Sequence, residues 1–325
     1  ALVWPADILW RYSLQDEANW RLRQEFLGLY EGLRSRHVLF ELVCDTNLQE
    51  KAIDRYEVLI LPGATWLDTG QADVLAAYIR AGGRLVLIDT PATCQGGQFL
   101  PLPTALAECL GGTWRQEAYL ARYALPARVG AIPGTLQGVG PLAVGQSCRR
   151  VEVGDSALVW LYGVSYDDTA VPEDLGPLGV GNDPLVWATS VEDGVAVCAA
   201  MGLGELILNV GHPDYAALLE AMVTHGSLTP PNLLIDAPSS VEVTLMHWRD
   251  GVVVHLVNGA CPAPLDKPVP VGPITLSLAW DGPALADLCV PGANVQPLPC
   301  EEMWNRVRIV VPRLDVYAQV VVRSA

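Results

Sequence analysis

The sequence predicts two domains: an α/β domain built on a parallel sheet with helices on both faces, then a small all-β antiparallel sandwich. Three observations carry this reading. Apolar runs alternate with helical periodicity over the first 110 residues; a stretch containing Thr229-Pro230-Pro231-Asn232 interrupts the pattern; and beyond it only short strand-like runs and turns remain. At 325 residues, 51% apolar and 17% charged, the chain has material for two cores.

The first predicted strand is Ala1 to Trp4, ended by Pro5. Asp16 to Arg34 follows as a helix, because Leu22, Phe26, Leu29, Tyr30 and Leu33 fall on one face of a 3.6-residue period. Asp16 and Glu17 sit where the helix dipole favours acids. Val38 to Val43 and Val58 to Leu61 read as strands. Thr69 to Ala81 reads as a helix stopped by Gly82-Gly83, Arg84 to Ile88 as a strand, and Thr104 to Leu110 as a short helix closed by Gly111-Gly112. Strands separated by crossover helices imply parallel pairing. Residues 113–190 are rich in Gly and Pro, without helical periodicity, and are expected to form an irregular β insertion. Gly194 to Met201 returns as a core strand and Asp214 to His225 as a terminal helix. The expected domains are therefore 1–228 and 239–325. In the second, Val241 to Trp248, Val252 to Val257, Ile274 to Ala279, Arg306 to Val311 and Val316 to Val322 are strand-like, with turns at Asp250-Gly251 and Asp281-Gly282.

The net charge of −16 repels phosphate backbones and argues against nucleic acid, while neutral ligands such as sugars are compatible with it. No apolar run approaches the ~20 residues of a membrane span. None of the eight cysteines is spaced as a zinc or redox pair. Several lie in apolar segments, as Cys198 does in Val195-Ala196-Val197-Cys198-Ala199, and buried thiols favour a reducing, cytoplasmic compartment. The chain starts with Ala1 and runs straight into an apolar segment, which points to a piece of a longer polypeptide. There is no glycine fingerprint for a dinucleotide and no P-loop, so no cofactor is expected. The five histidines give no metal site: a two-residue turn at Asp250-Gly251 places His255 opposite Met246, with His247 on the other face, whereas a three-residue turn would bring both onto one face.

Several segments carry a family likeness: Tyr56-Glu57-Val58-Leu59-Ile60-Leu61-Pro62-Gly63, Tyr78-Ile79-Arg80-Ala81-Gly82-Gly83-Arg84-Leu85-Val86, Gly194-Val195-Ala196-Val197, Gly211-His212-Pro213-Asp214-Tyr215 and Val252-Val253-Val254-His255-Leu256-Val257-Asn258. In their order and spacing they resemble the β-galactosidase trimerisation domain, a module similar to class I glutamine amidotransferases, together with the small β domain that follows it. The resemblance implies a flavodoxin-like α/β fold without amidotransferase activity. It also implies a catalytic β/α barrel in the same polypeptide and assembly into a homo-oligomer, a trimer. The carboxylate pair of a glycosidase would then lie outside this chain.

In a parallel sheet the functional crevice lies at the carboxyl ends of the strands. Those ends carry Asp7, Trp10 and Tyr12, then Asp45 and Asn47, then Gly63 and Trp66, then Asp89 and Thr90. His212 and Asp214 complete the candidate crevice, and no catalytic residue is assigned. An active amidotransferase needs a cysteine on the tight turn after the strand Arg84 to Ile88; Asp89-Thr90-Pro91 stands there, and Cys94 comes several residues too late. His212-Pro213-Asp214 resembles the His-Pro-Glu of such enzymes but equally suits a helix start. The alternatives to a structural module are a degenerate hydrolase using His212 and a carbohydrate-binding module using Trp10 at the strand ends or the sandwich.

Overall fold

A computed structural model describes residues 1–6, 17–49, 51–63, 66–89, 92–95, 98–100, 102–127, 136, 141–165, 183–260 and 267–325. The chain divides into two compact units, residues 1–32 with 40–226 and residues 33–39 with 227–325.

In chain order the first unit contains β1 (Leu2–Trp4), α1 (Glu17–Ser35, its last residues counted with the second unit), β2 (Leu42–Cys44), β3 (Val58–Leu61), β4 (Trp66–Leu67), α2 (Thr69–Arg80), β5 (Arg84–Ile88), β6 (Ala92–Gln95) and β7 (Gln98–Leu100). Then come α3 (Thr104–Leu110), β8 (Gly112–Pro126), β9 (Leu142–Val153), β10 (Leu158–Val164), β11 (Asp183–Val191), β12 (Gly194–Ala199), α4 (Leu203–Asn209) and α5 (Pro213–Thr224). Nine strands form one sheet in the order β2-β1-β3-β5-β12-β11-β10-β8-β9, while β4, β6 and β7 form a separate small sheet. Pairing is parallel from β2 across to β12. From β12 to β9 every pair is antiparallel.

This corrects the expected fold. The sheet is mixed, and the flavodoxin-like, amidotransferase-like parallel sheet with helices on both faces is not what the chain forms. The stretch read as an irregular insertion supplies β8, β9, β10 and most of β11, four long members of the main sheet. The physical reason lies in burial. Parallel strands are covered on both faces and read as continuous apolar runs, as Val58–Leu61 does with all four residues buried. In β9 the buried Leu142, Val144, Cys148 and Val151 are separated by exposed Ala143, Gly145, Ser147 and Arg149. The ladder bulges where Val144 and Gly145 oppose Arg122, with Gly145 at φ 62°, and the two-residue period of burial slips further on, between Cys148 and Val151. A second register shift lies between Trp114 and Ala118.

Local chemistry sets the helix ends. Asp68 and Gln71 form a capping box at α2: Gln71 N–H donates to Asp68 Oδ1 at 2.7 Å and Asp68 N–H to Gln71 Oε1 at 2.9 Å. After α1 the chain turns through His37 at φ 54°, with Val38 N–H donating to the Leu33 carbonyl at 3.0 Å, so a histidine fills the left-handed position that usually takes glycine. The Trp187 indole, fully buried, donates at 2.9 Å to the Leu110 carbonyl at the end of α3.

The second unit contains β13 (Leu233–Asp236), β14 (Val241–Trp248), β15 (Gly251–Asn258), β16 (Ile274–Ala279), β17 (Ala284–Cys289), β18 (Gln296–Leu298), β19 (Cys300–Met303), β20 (Arg306–Val311) and β21 (Tyr317–Ser324). They form two antiparallel sheets, β13-β16-β20-β19 and β14-β15-β21-β17-β18. Val254, Leu256, Ile274, Val311, Val320 and Val322 are fully buried in its core. The β14–β15 hairpin pairs Trp248 with Gly251 and His255 with Thr244. The register differs by two residues from the sequence-based one, a shift that keeps His247 and His255 on opposite faces because side chains alternate with a period of two.

Candidate functional site

The parallel half of the first unit positions a polar cluster just beyond β5. Asp89, the residue after this strand, takes the left-handed conformation at φ 62°, which carboxylate and amide side chains tolerate better than most. Gly63, after β3, lies against it. A Cβ on Gly63 would come 2.3 Å from Asp89 Cβ and 2.9 Å from the Ile88 carbonyl oxygen, so only glycine fits there.

Glu25 reaches the same region from α1. It is 5% exposed, on the face of α1 that also buries Leu22, Phe26 and Leu29. Its Oε1 accepts from Gly204 N–H at 2.8 Å and its Oε2 from Glu205 N–H at 3.0 Å, at the start of α4. Gln146 of β9 holds the residue before α4 from the other side: Gly202 N–H donates to Gln146 Oε1 at 2.9 Å, and Gln146 Nε2 donates to the Gly202 carbonyl at 3.1 Å. Arg21 pairs with Glu205 at 3.7 Å. Burial pushes the Glu25 carboxyl up to about 8; the amides of Gly204 and Glu205 oppose that rise, and the nearby carboxylates of Asp89 and Glu205 add to it.

Cys148, 1% exposed on β9, is the thiol of this neighbourhood. Burial, with Asp89 adding to it, pushes it up to about 12, and its Sγ lies 3.7 Å from the Gln146 carbonyl. Cys198, on β12, is raised still further by complete burial. Thiols held in this way stay protonated and are poor nucleophiles. The cluster therefore offers a protonated carboxylic acid tied to a helix start, a second carboxyl on a tight turn and an inert thiol.

The remaining expected residues fall in different places. Asp7, Trp10, Tyr12 and Thr90 lie outside the described residues, as does the side chain of Cys94. Asp45 is fully buried: Cys44 Sγ donates to its Oδ1 at 3.5 Å, and Gln71 Nε2 donates to its carbonyl at 2.9 Å, tying β2 to α2. Asn47 is exposed and lines a cavity of about 100 Å³ with Leu42, Val43, Ile53, Arg55 and Tyr56. His212 caps α5. Its Nδ1 accepts from Asp214 N–H at 3.3 Å, lies 3.5 Å from the Asp214 carboxylate, and its ring meets the edge of Tyr215. Among the described residues these are the interactions of the His212 ring, and none joins it to Asp45, Asn47 or Asp89.

Known proteins bear on this geometry through fold alone. No family model and no curated protein matches the chain. Solved structures do. The α-L-fucosidase isoenzyme 2 from Paenibacillus thiaminolyticus aligns over 93% of this chain and 45% of its own, with a TM-score of 0.69 and 17% identity. The β-galactosidase from Bacillus circulans sp. alkalophilus aligns over 99% of this chain and 41% of its own, with a TM-score of 0.67 and 14% identity. The GH42 β-galactosidase Gan42B from G. stearothermophilus aligns over 100% of this chain and 40% of its own, with a TM-score of 0.63 and 12% identity. The chain thus shares its fold with parts of glycoside hydrolases and spans less than half the length of each.

Sequence reasoning missed Glu25, Gln146, Cys148 and Glu205. Glu25 carried a readable signal: it is an acid at i+3 from Leu22 and i−4 from Leu29, inside the apolar face of a helix. Gln146 and Cys148 carried none, because β9 was not recognised as a strand of the sheet.

Proposed function

We propose that the chain is the non-catalytic, assembly-forming portion of a carbohydrate-active, glycoside-hydrolase-like protein. In this reading it does the work of a β-galactosidase trimerisation domain, its catalytic β/α barrel lies elsewhere in the same polypeptide, and the working state is a homo-oligomer. The observation that carries the reading is the missing thiol: the turn after β5, where a cysteine-dependent amidotransferase needs its sulfur, bears Asp89 at φ 62°, and the neighbouring Cys148 is buried and held protonated. Two further observations support it. The similar solved structures are longer glycoside hydrolases in which this fold is a part. On the outer face of α1, Trp20 and Leu27, two turns apart, are 62% and 47% exposed and offer apolar area to a sister subunit. The alternative, hydrolysis through His212, requires a nucleophile beside a ring that is engaged by Asp214 and Tyr215.

The test is enzymatic and hydrodynamic. The chain is expected to turn over neither aryl glycosides nor glutamine, and to sediment as an oligomer that Trp20→Glu with Leu27→Glu dissociates. Turnover that Asp89→Asn or His212→Ala abolishes would overturn the non-catalytic reading. A monomer at every concentration would overturn the assembly reading.

A further inference from the structure

We propose that the outward face of the sheet β14-β15-β21-β17-β18 is a binding site for a neutral carbohydrate, centred on His255, Tyr317 and Gln319. The register fixes the layout of this face. One row across the strands reads Thr244, His255, Gln319, Cys289. The next row on one side is Met246, Val253, Val321, Asp287, and on the other side it is Glu242, Val257, Tyr317.

The trio is linked by two hydrogen bonds. Gln319 Nε2 donates to the Tyr317 hydroxyl at 2.7 Å, and that hydroxyl lies 2.7 Å from His255 Nδ1. The arrangement that gives each of these hydrogens a partner has the Tyr317 O–H donating to Nδ1, which leaves the proton of the His255 ring on Nε2. Two groups are then left over. The Nε2–H of His255 is a donor and Oε1 of Gln319 an acceptor, both without a protein partner among the described residues. They stand on directly paired positions of neighbouring strands, and the shared Tyr317 hydroxyl fixes both side chains in advance, which lowers the entropic cost of binding.

The surroundings select the ligand. Beside this row run Met246, 53% exposed, with the half-buried Val253 and Val321; beyond Tyr317 is Val257, 40% exposed. An apolar strip beside a donor–acceptor pair matches a pyranose, which presents C–H groups on its face and hydroxyls on its rim. The row itself contains no Asp, Glu, Lys or Arg. Among the neighbouring charges, Asp287 is already paired with Arg323 at 2.7 Å and Glu242, opposite Val257, is likewise engaged, so an anionic or cationic ligand finds no free counter-charge at the centre. A protein surface packed flat on this face would bury the donor and the acceptor without partners unless it supplied both, at a cost of roughly 1–3 kcal/mol for each. Sugar hydroxyls act as donor and acceptor at once and satisfy both. This proposal does not depend on the assembly reading above.

The experiment is a titration of the 325-residue chain with neutral sugars, galactose, fucose, mannose and glucose and their di- to tetrasaccharides, read by calorimetry and by amide chemical shifts. At least one sugar is expected to bind and to shift residues 244, 253, 255, 317 and 319. His255→Ala and Gln319→Ala are each expected to weaken it about tenfold with unchanged unfolding midpoints, and Tyr317→Phe to do the same by freeing both side chains. Silence across the panel far above millimolar concentration would sink the proposal. So would binding that all three variants leave intact, shifts that map elsewhere, or self-association of the chain that His255→Ala abolishes.

Discussion

Glu25 Oε1 accepts the Gly204 N–H at 2.8 Å, joining α1 to the first turn of α4 through a carboxyl group that water scarcely reaches. Two physical effects compete there. Free amides at a helix start favour a carboxylate, whereas burial beside Asp89 and Glu205 favours the neutral acid. Burial prevails and holds the group at about 8.

The pH dependence of stability follows from that value. Below about 4.5, the ordinary value for this side chain, folded and unfolded chains both hold the proton, and Glu25 imposes no slope. Between about 4.5 and 8 only the folded chain keeps it; the unfolded chain gains by ionising, and stability falls as pH rises. Above about 8 the slope ends. Glu25→Gln removes the titration, so the stability of this variant relative to the native chain is expected to rise from pH 5 to pH 8. Urea unfolding at a series of pH values measures the difference, and parallel curves would refute the assignment.

The same helix crossing is expected to reject any side chain at two glycines. A Cβ on Gly28 would fall 1.7 Å from the Gly204 carbonyl oxygen, and one on Gly204 would fall 2.0 Å from that of Glu25. Both obstacles are backbone, which cannot swing aside. Gly28→Ala and Gly204→Ala should each cost about 3 kcal/mol or prevent folding, at the upper end for overpacked sites. Gly154→Ala is the control, since nothing lies within 4 Å of its Cβ position; it should change stability by less than about 1 kcal/mol.

Legibility in the sequence followed burial. Strands β3, β5 and β12 announced themselves as unbroken apolar runs, and Gly82-Gly83 marked the end of α2. The antiparallel half was hidden because β9 alternates, bulges at Gly145 and slips by one residue between Cys148 and Val151. Of the cluster, Asp89 could be named from its place after a strand. Glu25 was masked by the apolar periodicity that surrounds it, and Gln146 could be found only through the pairing of β9 with β8.

In the second unit one amide ties three chain segments together. Asn258 is 3% exposed; its Nδ2 lies 2.8, 3.3 and 2.9 Å from the carbonyls of Val269, Leu314 and Asp315, and its Oδ1 accepts from Ala260 N–H at 2.9 Å. Asn258→Leu keeps the volume and removes every bond, leaving buried backbone groups unpaired. A loss of about 2–3 kcal/mol is expected. Thermal unfolding should show it as a lower midpoint of the second unit, and an unchanged midpoint would mean that water or neighbouring groups replace the amide.

Asp89 permits a test of the turn itself. At φ 62° a β-branched side chain meets the backbone, whereas glycine does not. Asp89→Val is therefore expected to be less stable than Asp89→Gly by about 2 kcal/mol, with Asp89→Asn between them. Removing the charge has a second consequence, because Asp89 is one of the groups that raise Glu25. In Asp89→Asn the pH at which stability stops falling should move below about 8, whereas Asp73→Asn, an exposed change on α2, should leave it where it was. The combination separates strain from electrostatics: the Gly–Val pair reports the backbone, and the Asn variant reports the field at Glu25. Equal stability of the Gly and Val variants would remove the left-handed turn, and an unmoved pH limit in Asp89→Asn would remove the coupling of Asp89 to Glu25.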